Sequence, residues 1–353
     1  MKKLLRIILL LVNLLFAAAL LLSTLAGVIP PSKSSAISLL SYGYPFLLAA
    51  NIVWVAGWLC FSRKEFLVSL IAILLRCNFI PMFFQLGGNT EWLGNDTAQA
   101  NERVNAMKIM TFNVHGFHGV DDSLSPDEGA KMFFALLREE QPDVLTLQEF
   151  FDGKKVVVAD TLETMGYRYH YGFKDRSYGL QLYSKYPFDY VCSLDGSNKL
   201  YADIVKGGKV VRLFCVHLDS YQLTHDETGN ISKLISEDTL SVNVAKKLIS
   251  TFREHEHEWD EVLKKQILES PHPFIVAGDF NDTPASYIYQ QLGKYAKDSY
   301  VEQGCGFCTT YHGMFPAYRI DHVFHSDTLQ ALSYKRVRSD ISDHYPVVVT
   351  LKL

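Results

Sequence analysis

From Ile7 to Ser32 the chain carries no charged side chain. A helix rises ~1.5 Å per residue, so about 20 such residues cross a ~30 Å hydrocarbon core. No other feature constrains the fold as much, because a stretch this apolar must be buried in protein or in lipid. A second uncharged run covers residues 34–62. A third reaches from Phe66 to about Leu86, interrupted by Arg76, Asn78 and Pro81. The reading is a membrane region over residues 1–86 with about three transmembrane helices. Arg76 inside the third would cost ~2.5–3.5 kcal/mol on insertion scales unless it snorkels or faces a neighbouring helix. A cleaved signal peptide is the alternative for the first run, since Lys2 and Lys3 precede it. The length of that run and the two runs after it favour an anchor.

Charge adds a direction. Residues 1–90 hold seven basic side chains and one acid, Glu65. Lys2, Lys3 and Arg6 precede the first run, Arg63 and Lys64 separate the second and third, and the other loop has only Lys33. Basic flanks stay cytoplasmic, so three spans place the rest of the chain on the non-cytoplasmic side. A re-entrant third segment would reverse that. Residues 87–104 are polar and rich in Gly and Asn, as a linker is. Residues 91–353 carry 27 basic and 37 acidic side chains, a net of −10. Such a domain repels duplex nucleic acid at long range. Six Cys in 353 residues exclude a disulfide-framework miniprotein.

Over residues 105–353 strands alternate with helices. Apolar runs or alternations predict strands at 108–114, 144–148, 179–184, 190–193, 200–205, 210–217, 274–277, 319–324 and 347–351. The four from 179 to 217 read as one antiparallel meander. Helical spacing covers 126–140, with Ser125 as cap, and also 154–165 and 231–268. Hairpins together with crossover helices imply an α/β sandwich of mixed sheets.

Polar and acidic residues collect where these strands end: Asn113, Glu149, His217, Asp279, Asn281, Asp321, Asp343 and His344. One strand-end carboxylate is ordinarily a cap or turn former. Several of them, aligned on one rim by sheet packing, suit metal-assisted phosphoryl transfer. Mg²⁺ takes one or two carboxylates and keeps waters, which Glu149 and Asp343 can supply. Asn113, Asn281, His217 and His344 offer neutral or cationic donors to a phosphate. Asp279 fits a base or orienter for water, and Asp321 fits the carboxylate that holds His344.

The segments TFNVHG (111–116), LQE (147–149), YGLQLYSKYP (178–187), VHLDS (216–220), GDFND (278–282), RIDHVF (319–324) and SDHYPV (342–347) together resemble the ordered signatures of the endonuclease/exonuclease/phosphatase superfamily. Each is weak alone; the order of seven is specific. The resemblance covers residues 105–353 and implies the deoxyribonuclease-I-like fold, a four-layer α/β/β/α sandwich of two mixed sheets. It implies Mg²⁺ or Mn²⁺ as cofactor, with Glu149 a metal ligand and Asp343 near the metal. Asp279 would orient or deprotonate the water. His344, paired with Asp321, would stabilise the transition state, and His217 would contact phosphate. Asn113, Asn281 and Tyr178 would touch substrate. The abasic-site endonuclease branch has a Tyr where this chain has His217, so that branch fits less well. One or two ions, and Asp279 as base or ligand, are both open.

Other residues are read more plainly. His115 and His118 are taken as surface-loop histidines, with substrate contact as the alternative. His255 and His257 are two apart on a charged helix, whereas helical metal pairs are four apart. Cys305 and Cys308 lack a second pair for zinc. The function implied is a membrane-anchored, metal-dependent phosphoesterase acting on a lipid head group, a nucleotide or nucleic acid, or a sugar phosphate. No obligate protein partner is implied. The alternative is a membrane-bound binding protein that keeps the fold without turnover.

Overall fold

The computed structural model describes residues 2–61, 64–90, 105–151, 158–172, 179–194, 198–221, 238–312 and 318–353. The chain divides into two units. One takes residues 1–83 with 221–257 and 283–292; the other takes 84–220, 258–282 and 293–353.

In the first unit the apolar runs form helices Lys2–Ser23, Ser35–Tyr42, Tyr44–Cys60 and Phe66–Leu75. One stretch, Lys3–Gly27, is long and apolar enough to cross a membrane. Ser35–Tyr42 and Tyr44–Cys60 meet at a 66° bend, and Phe66–Leu75 has 10 residues. Asn13, Asn51 and Ser69 are fully buried among the helices. The Ser69 hydroxyl lies 2.5 Å from Asn13 Oδ1 and 2.7 Å from Asn51 Oδ1. Asn51 Nδ2 donates to the Phe16 and Leu47 carbonyls. Buried polar side chains that bond across apolar helices fix their packing, because an unpaired one is costly. Helix Asp238–His257, from the expected 231–268 region, belongs to this unit. Its Phe252 ring stands 5.4 Å from Tyr42 and its Glu256 accepts from the Ser32 N–H at 2.7 Å.

The second unit holds the strands β1 (Phe84–Gln85), β2 (Ala106–Asn113), β3 (Val144–Phe150), β4 (Tyr169–Gly172), β5 (Gly179–Ser184), β6 (Phe188–Leu194), β7 (Lys199–Lys206), β8 (Lys209–His217), β9 (Phe274–Asp279), β10 (Lys297–Asp298), β11 (Gly306–Phe307), β12 (Asp321–His325), β13 (Gln330–Arg336) and β14 (Val347–Lys352). One six-stranded sheet has the order β13-β14-β2-β3-β5-β4 and the other β10-β12-β9-β8-β7-β6. Each is mixed, with one parallel pair at its centre, β2 with β3 and β8 with β9. The fold is thus the expected α/β architecture of two mixed sheets.

Period-two alternation assigns the core. Met107 and Ile109 face the second sheet among Leu180, Leu213, Ile275 and Val349, whereas Met110 and Phe112 face Phe133 and Leu137 of helix Pro126–Glu140. That helix starts at a capping box. Ser125 Oγ accepts from Glu128 N, and Glu128 Oε2 accepts from Ser125 N at 3.1 Å. On the other sheet, Glu258 makes a buried ion pair with Lys199 of β7.

The expected four-strand meander is corrected. Residues 179–184 lie in the first sheet, and only 188–217 form a meander in the second. The turn through Lys185–Pro187 carries the chain across, since Pro187 has no N–H to continue a ladder. Strand β13 was not expected. Its sequence QALSYKR mixes apolar and polar residues, and a bulge between Ala331 and Ser333 breaks its period.

Candidate active site

Topology explains why distant residues meet. In the parallel pairs, β2 with β3 and β8 with β9, the carboxyl ends share a side. Register aligns Asn113 with Gln148, next to Glu149, and His217 with Asp279. Strand β12 runs antiparallel to β9, so its first residue, Asp321, stands opposite Asp279. Strand β14 runs antiparallel to β2, with Val347 opposite Thr111, so Asp343 and His344 enter just before it at the same rim.

Local backbone then aims the side chains. Glu149 sits in a bulge between Leu147 and Phe150 at φ 49°. A bulge residue in the left-handed region redirects its side chain. His115, Phe117 and Asn281 also have positive φ, at 44°, 66° and 49°. Strained non-glycine backbone of this kind gathers at functional sites. Gly278 precedes Asp279, and a Cβ there would lie 1.8 Å from the Val216 carbonyl oxygen. Strands β8 and β9 therefore approach this closely only with glycine at 278.

The contacts form one network. Asn113 Nδ2 donates to Glu149 Oε1 at 2.9 Å and to Asp279 Oδ2 at 3.0 Å. Both amide hydrogens are used, while Asn113 Oδ1 accepts from the His115 N–H at 3.1 Å. Asp279 Oδ1 accepts from the Asn281 N–H at 2.8 Å, and Asn281 Nδ2 donates to the Leu218 carbonyl. His344 Nδ1 lies 2.9 Å from Asp321 Oδ2, and its Nε2 lies 3.7 Å from Asp279 Oδ2. His217 Nε2 stands 3.8 Å from Glu149 Oε1 and 3.9 Å from Asp279 Oδ2.

Electrostatics follow from burial. Burial pushes the Asp279 carboxyl above the usual carboxylate range; His344 pulls it back down and Asp321 pushes it further up. Burial pulls the His344 imidazole down, but the Asp321 and Asp279 carboxylates outweigh it, so the ring stands well above its ordinary value. The pair therefore favours a charged imidazole beside a basic carboxylate.

Of the nine site residues expected from the sequence, seven converge in this network: Asn113, Glu149, His217, Asp279, Asn281, Asp321 and His344. Asp343 stands at the edge, its Oδ1 3.6 Å from His115 Nδ1. Tyr178 lies outside the described residues. His115 and His118 line a cleft of about 560 Å³ with Asp122 and Glu149. They lie on a partly exposed loop, as expected, and that loop borders the cleft that Glu149 faces. The signal was the position of His115 two residues after Asn113. Ser342 was missed; its buried hydroxyl donates to the Asn113 carbonyl at 2.7 Å and accepts from the His344 N–H.

Two donor sets compete for a divalent ion. Asp279, Asp321 and His344 have ligand atoms within 4.8 Å of one another and are all buried. Most of those atoms already hold hydrogen bonds, and a buried set leaves little room for the waters Mg²⁺ retains. Glu149 and Asp343 keep side chains 31% and 24% exposed; Asp343 stands beside His115, and Glu149 lines the same cleft as His115. Among the described residues, the ion pairs of these four carboxylates are all with histidines. Excess negative charge with open oxygen donors fits a hard cation at Glu149 and Asp343.

Residues 110–344 match the model of the Endonuclease/Exonuclease/phosphatase family, about two thirds of the chain. The chain belongs to that family. Residues 5–83 match a second model, described as a domain of unknown function. A search of curated proteins found no match. Similar solved structures include a humanized D. rerio TDP2 (18% identical, TM-score 0.49), covering 70% of this chain and 100% of that one. They also include the endonuclease/exonuclease/phosphatase from Bacteroides vulgatus (17%, TM-score 0.47), covering 70% and 99%. The human Nocturnin catalytic domain with bound sulfate is a third (16%, TM-score 0.46), covering 70% and 93%.

Proposed function

We propose that the protein is a membrane-anchored, divalent-metal-dependent phosphoesterase that hydrolyses a phosphodiester or phosphomonoester by attack of water. One observation carries this: Asn113 bridges Glu149 and Asp279, and Asp279 in turn faces an Asp321–His344 pair. Base, orienter and cationic donor thus sit within a few ångström of one another, as acid–base catalysis requires.

Asp279 takes the proton of the attacking water; its raised affinity for a proton suits that task. Asn113 and the Asn281 N–H hold both its oxygens in place. Asp321 keeps His344 Nδ1 protonated and oriented, so that Nε2–H faces the phosphate and stabilises charge as it grows. His217 supplies a second imidazole to the phosphate. Asn281 and Tyr178 are the remaining substrate contacts. Glu149 and Asp343 would hold Mg²⁺ or Mn²⁺, which when bound would supply Lewis-acid stabilisation of the phosphate's charge. The Lys3–Gly27 helix, which carries no charge after Arg6, supports a membrane anchor for this domain, and the basic residues flanking the apolar runs favour the non-cytoplasmic side for the catalytic unit.

The test is hydrolysis of bis-p-nitrophenyl phosphate by the detergent-solubilised full chain with Mg²⁺ and with EDTA. Turnover is expected only with the metal and is lost in His344→Ala. Equal turnover in EDTA, or in the variant, overturns the proposal.

A further inference from the structure

Residues 84–90 follow directly on the apolar segment that ends at Phe83, and they are bound into the catalytic unit. Phe84 and Gln85 pair antiparallel with Phe307 and Gly306, and the two phenylalanine rings lie 4.7 Å apart. Gln85 Nε2 donates to the Val301 carbonyl at 3.0 Å. The Asn89 carbonyl accepts from the Tyr334 N–H at 2.9 Å, and Asn89 Nδ2 donates to the Leu332 carbonyl at 2.9 Å. From beneath, the Tyr300 hydroxyl donates to the Gly306 carbonyl at 2.6 Å.

This small ribbon presents an unusual surface. Leu86 is 92% exposed and Phe307 74%. Among the described residues they are the two most exposed large apolar side chains of the catalytic unit; the next, Tyr190, is 52% exposed and carries a polar hydroxyl. Neither strand has a charge: residues 84–90 read FQLGGNT and residues 304–311 read GCGFCTTY. Over residues 91–353 the chain carries 27 basic and 37 acidic side chains, and charged groups resist leaving water for a lipid boundary. An uncharged patch with two apolar tips is where the catalytic unit can approach. Apolar tips flanked by neutral polar groups match the boundary between head groups and acyl chains.

We propose that the β1–β11 ribbon is a bilayer seat, with Leu86 and Phe307 entering the head-group boundary of the membrane that holds the N-terminal segments. The proposal rests on the reading of residues 1–83 as a membrane anchor. In the chain, β1 begins at Phe84, the residue after the apolar segment ends. The seat also reaches the chemistry. From Phe307 the chain runs four residues to Tyr311, a span of at most ~14 Å. Thr310 Oγ1 accepts the N–H groups of Ile320 and Asp321 at 3.0 Å each, and the Tyr311 ring stands 5.1 Å from that of His344. The seat therefore keeps the Asp321–His344 pair within a short chain length of lipid head groups, favouring phosphoesters presented at the surface.

Tryptophan quenching in phosphatidylcholine vesicles tests this with the full-length chain. Phe307→Trp reports the seat and Leu11→Trp reports the first apolar helix, each as a difference from the parent protein. Lipids brominated near the head group are expected to quench the added emission of Phe307→Trp about two-fold more than lipids brominated deep in the chain. Leu11→Trp is expected to be quenched by one or both lipids. Should Phe307→Trp misfold, Leu86→Trp gives the same readout from a side chain that packs on almost nothing. Quenching at position 11 with none at 307 or 86 overturns the seat and leaves the anchor standing. No quenching at any of them overturns the anchor reading itself.

Discussion

Asp321 Oδ2 accepts from His344 Nδ1, while its Oδ1 is buried without a hydrogen-bond partner among the described residues. An acid held so that one oxygen faces an imidazole is there to orient it. Asp321→Asn is expected to lower kcat on bis-p-nitrophenyl phosphate by ~10²–10⁴-fold, the usual weight of positioned acid–base groups, with little change in KM. Initial-rate kinetics at saturating Mg²⁺ check this. Gly278→Ala acts through packing instead. The new Cβ meets the Val216 carbonyl oxygen, so β8 and β9 must part. Overpacking of this kind costs ~1–3 kcal/mol, read as a lower thermal midpoint together with lower activity, since Asp279 moves with the strand. At this scale the residue types were legible, because carboxylates, amides and imidazoles at the ends of apolar runs have few other uses in such number. Their aim was not. The left-handed backbone of Glu149 and of His115 depends on a bulge and a loop that no local pattern announces.

Elements were legible where burial on both faces left continuous apolar runs, as in β2, β3, β8 and β9. Helix Pro126–Glu140 was legible from its stripe and from Ser125. Ser125→Ala removes the capping hydrogen bond and is expected to cost ~1 kcal/mol. Amide hydrogen exchange in residues 131–137 would then speed up about five-fold. Unchanged exchange would show that packing of Phe133 and Leu137, not the cap, fixes the helix start. What the pattern concealed was partnership. Residues 179–184 alternate as well as residues 200–205 do, yet β5 joins one sheet and β7 the other. Likewise nothing in the spacing of residues 238–257 tells that this helix packs with Tyr42 and Ser32.

For the whole molecule, charge decides how stability responds to pH and to metal. His322 is fully buried, and Arg319 Nη1 donates to its Nδ1 at 2.9 Å, so the ring is neutral and its Nε2–H donates to the Asp282 carbonyl. Burial first, and then the Arg319 charge, push its pKa down to about 3. The unfolded chain binds that proton near pH 6.5. The contribution is therefore complete above about pH 6.5 and falls as pH drops toward 3, by up to ~1.4 kcal/mol per pH unit. Thermal midpoints from pH 7 to pH 4 should fall less steeply in His322→Gln, whose amide keeps one acceptor and one donor. Metal works in the opposite sense, by relieving repulsion. A cation that binds only the folded chain stabilises it by ~2.7 kcal/mol at 100 times its Kd, so Mg²⁺ or Mn²⁺ should raise the thermal midpoint and EDTA should reverse the rise. The two donor sets make different demands on the same experiment. If the ion sits at the exposed carboxylates, Glu149→Gln abolishes the metal-dependent shift, whereas His344→Ala keeps the shift and loses only turnover. If the buried Asp279–Asp321–His344 group were the site, His344→Ala would abolish the shift and Glu149→Gln would spare most of it. The first pattern is expected, because Glu149 offers an oxygen in reach of water while His344 Nδ1 is already bound to Asp321.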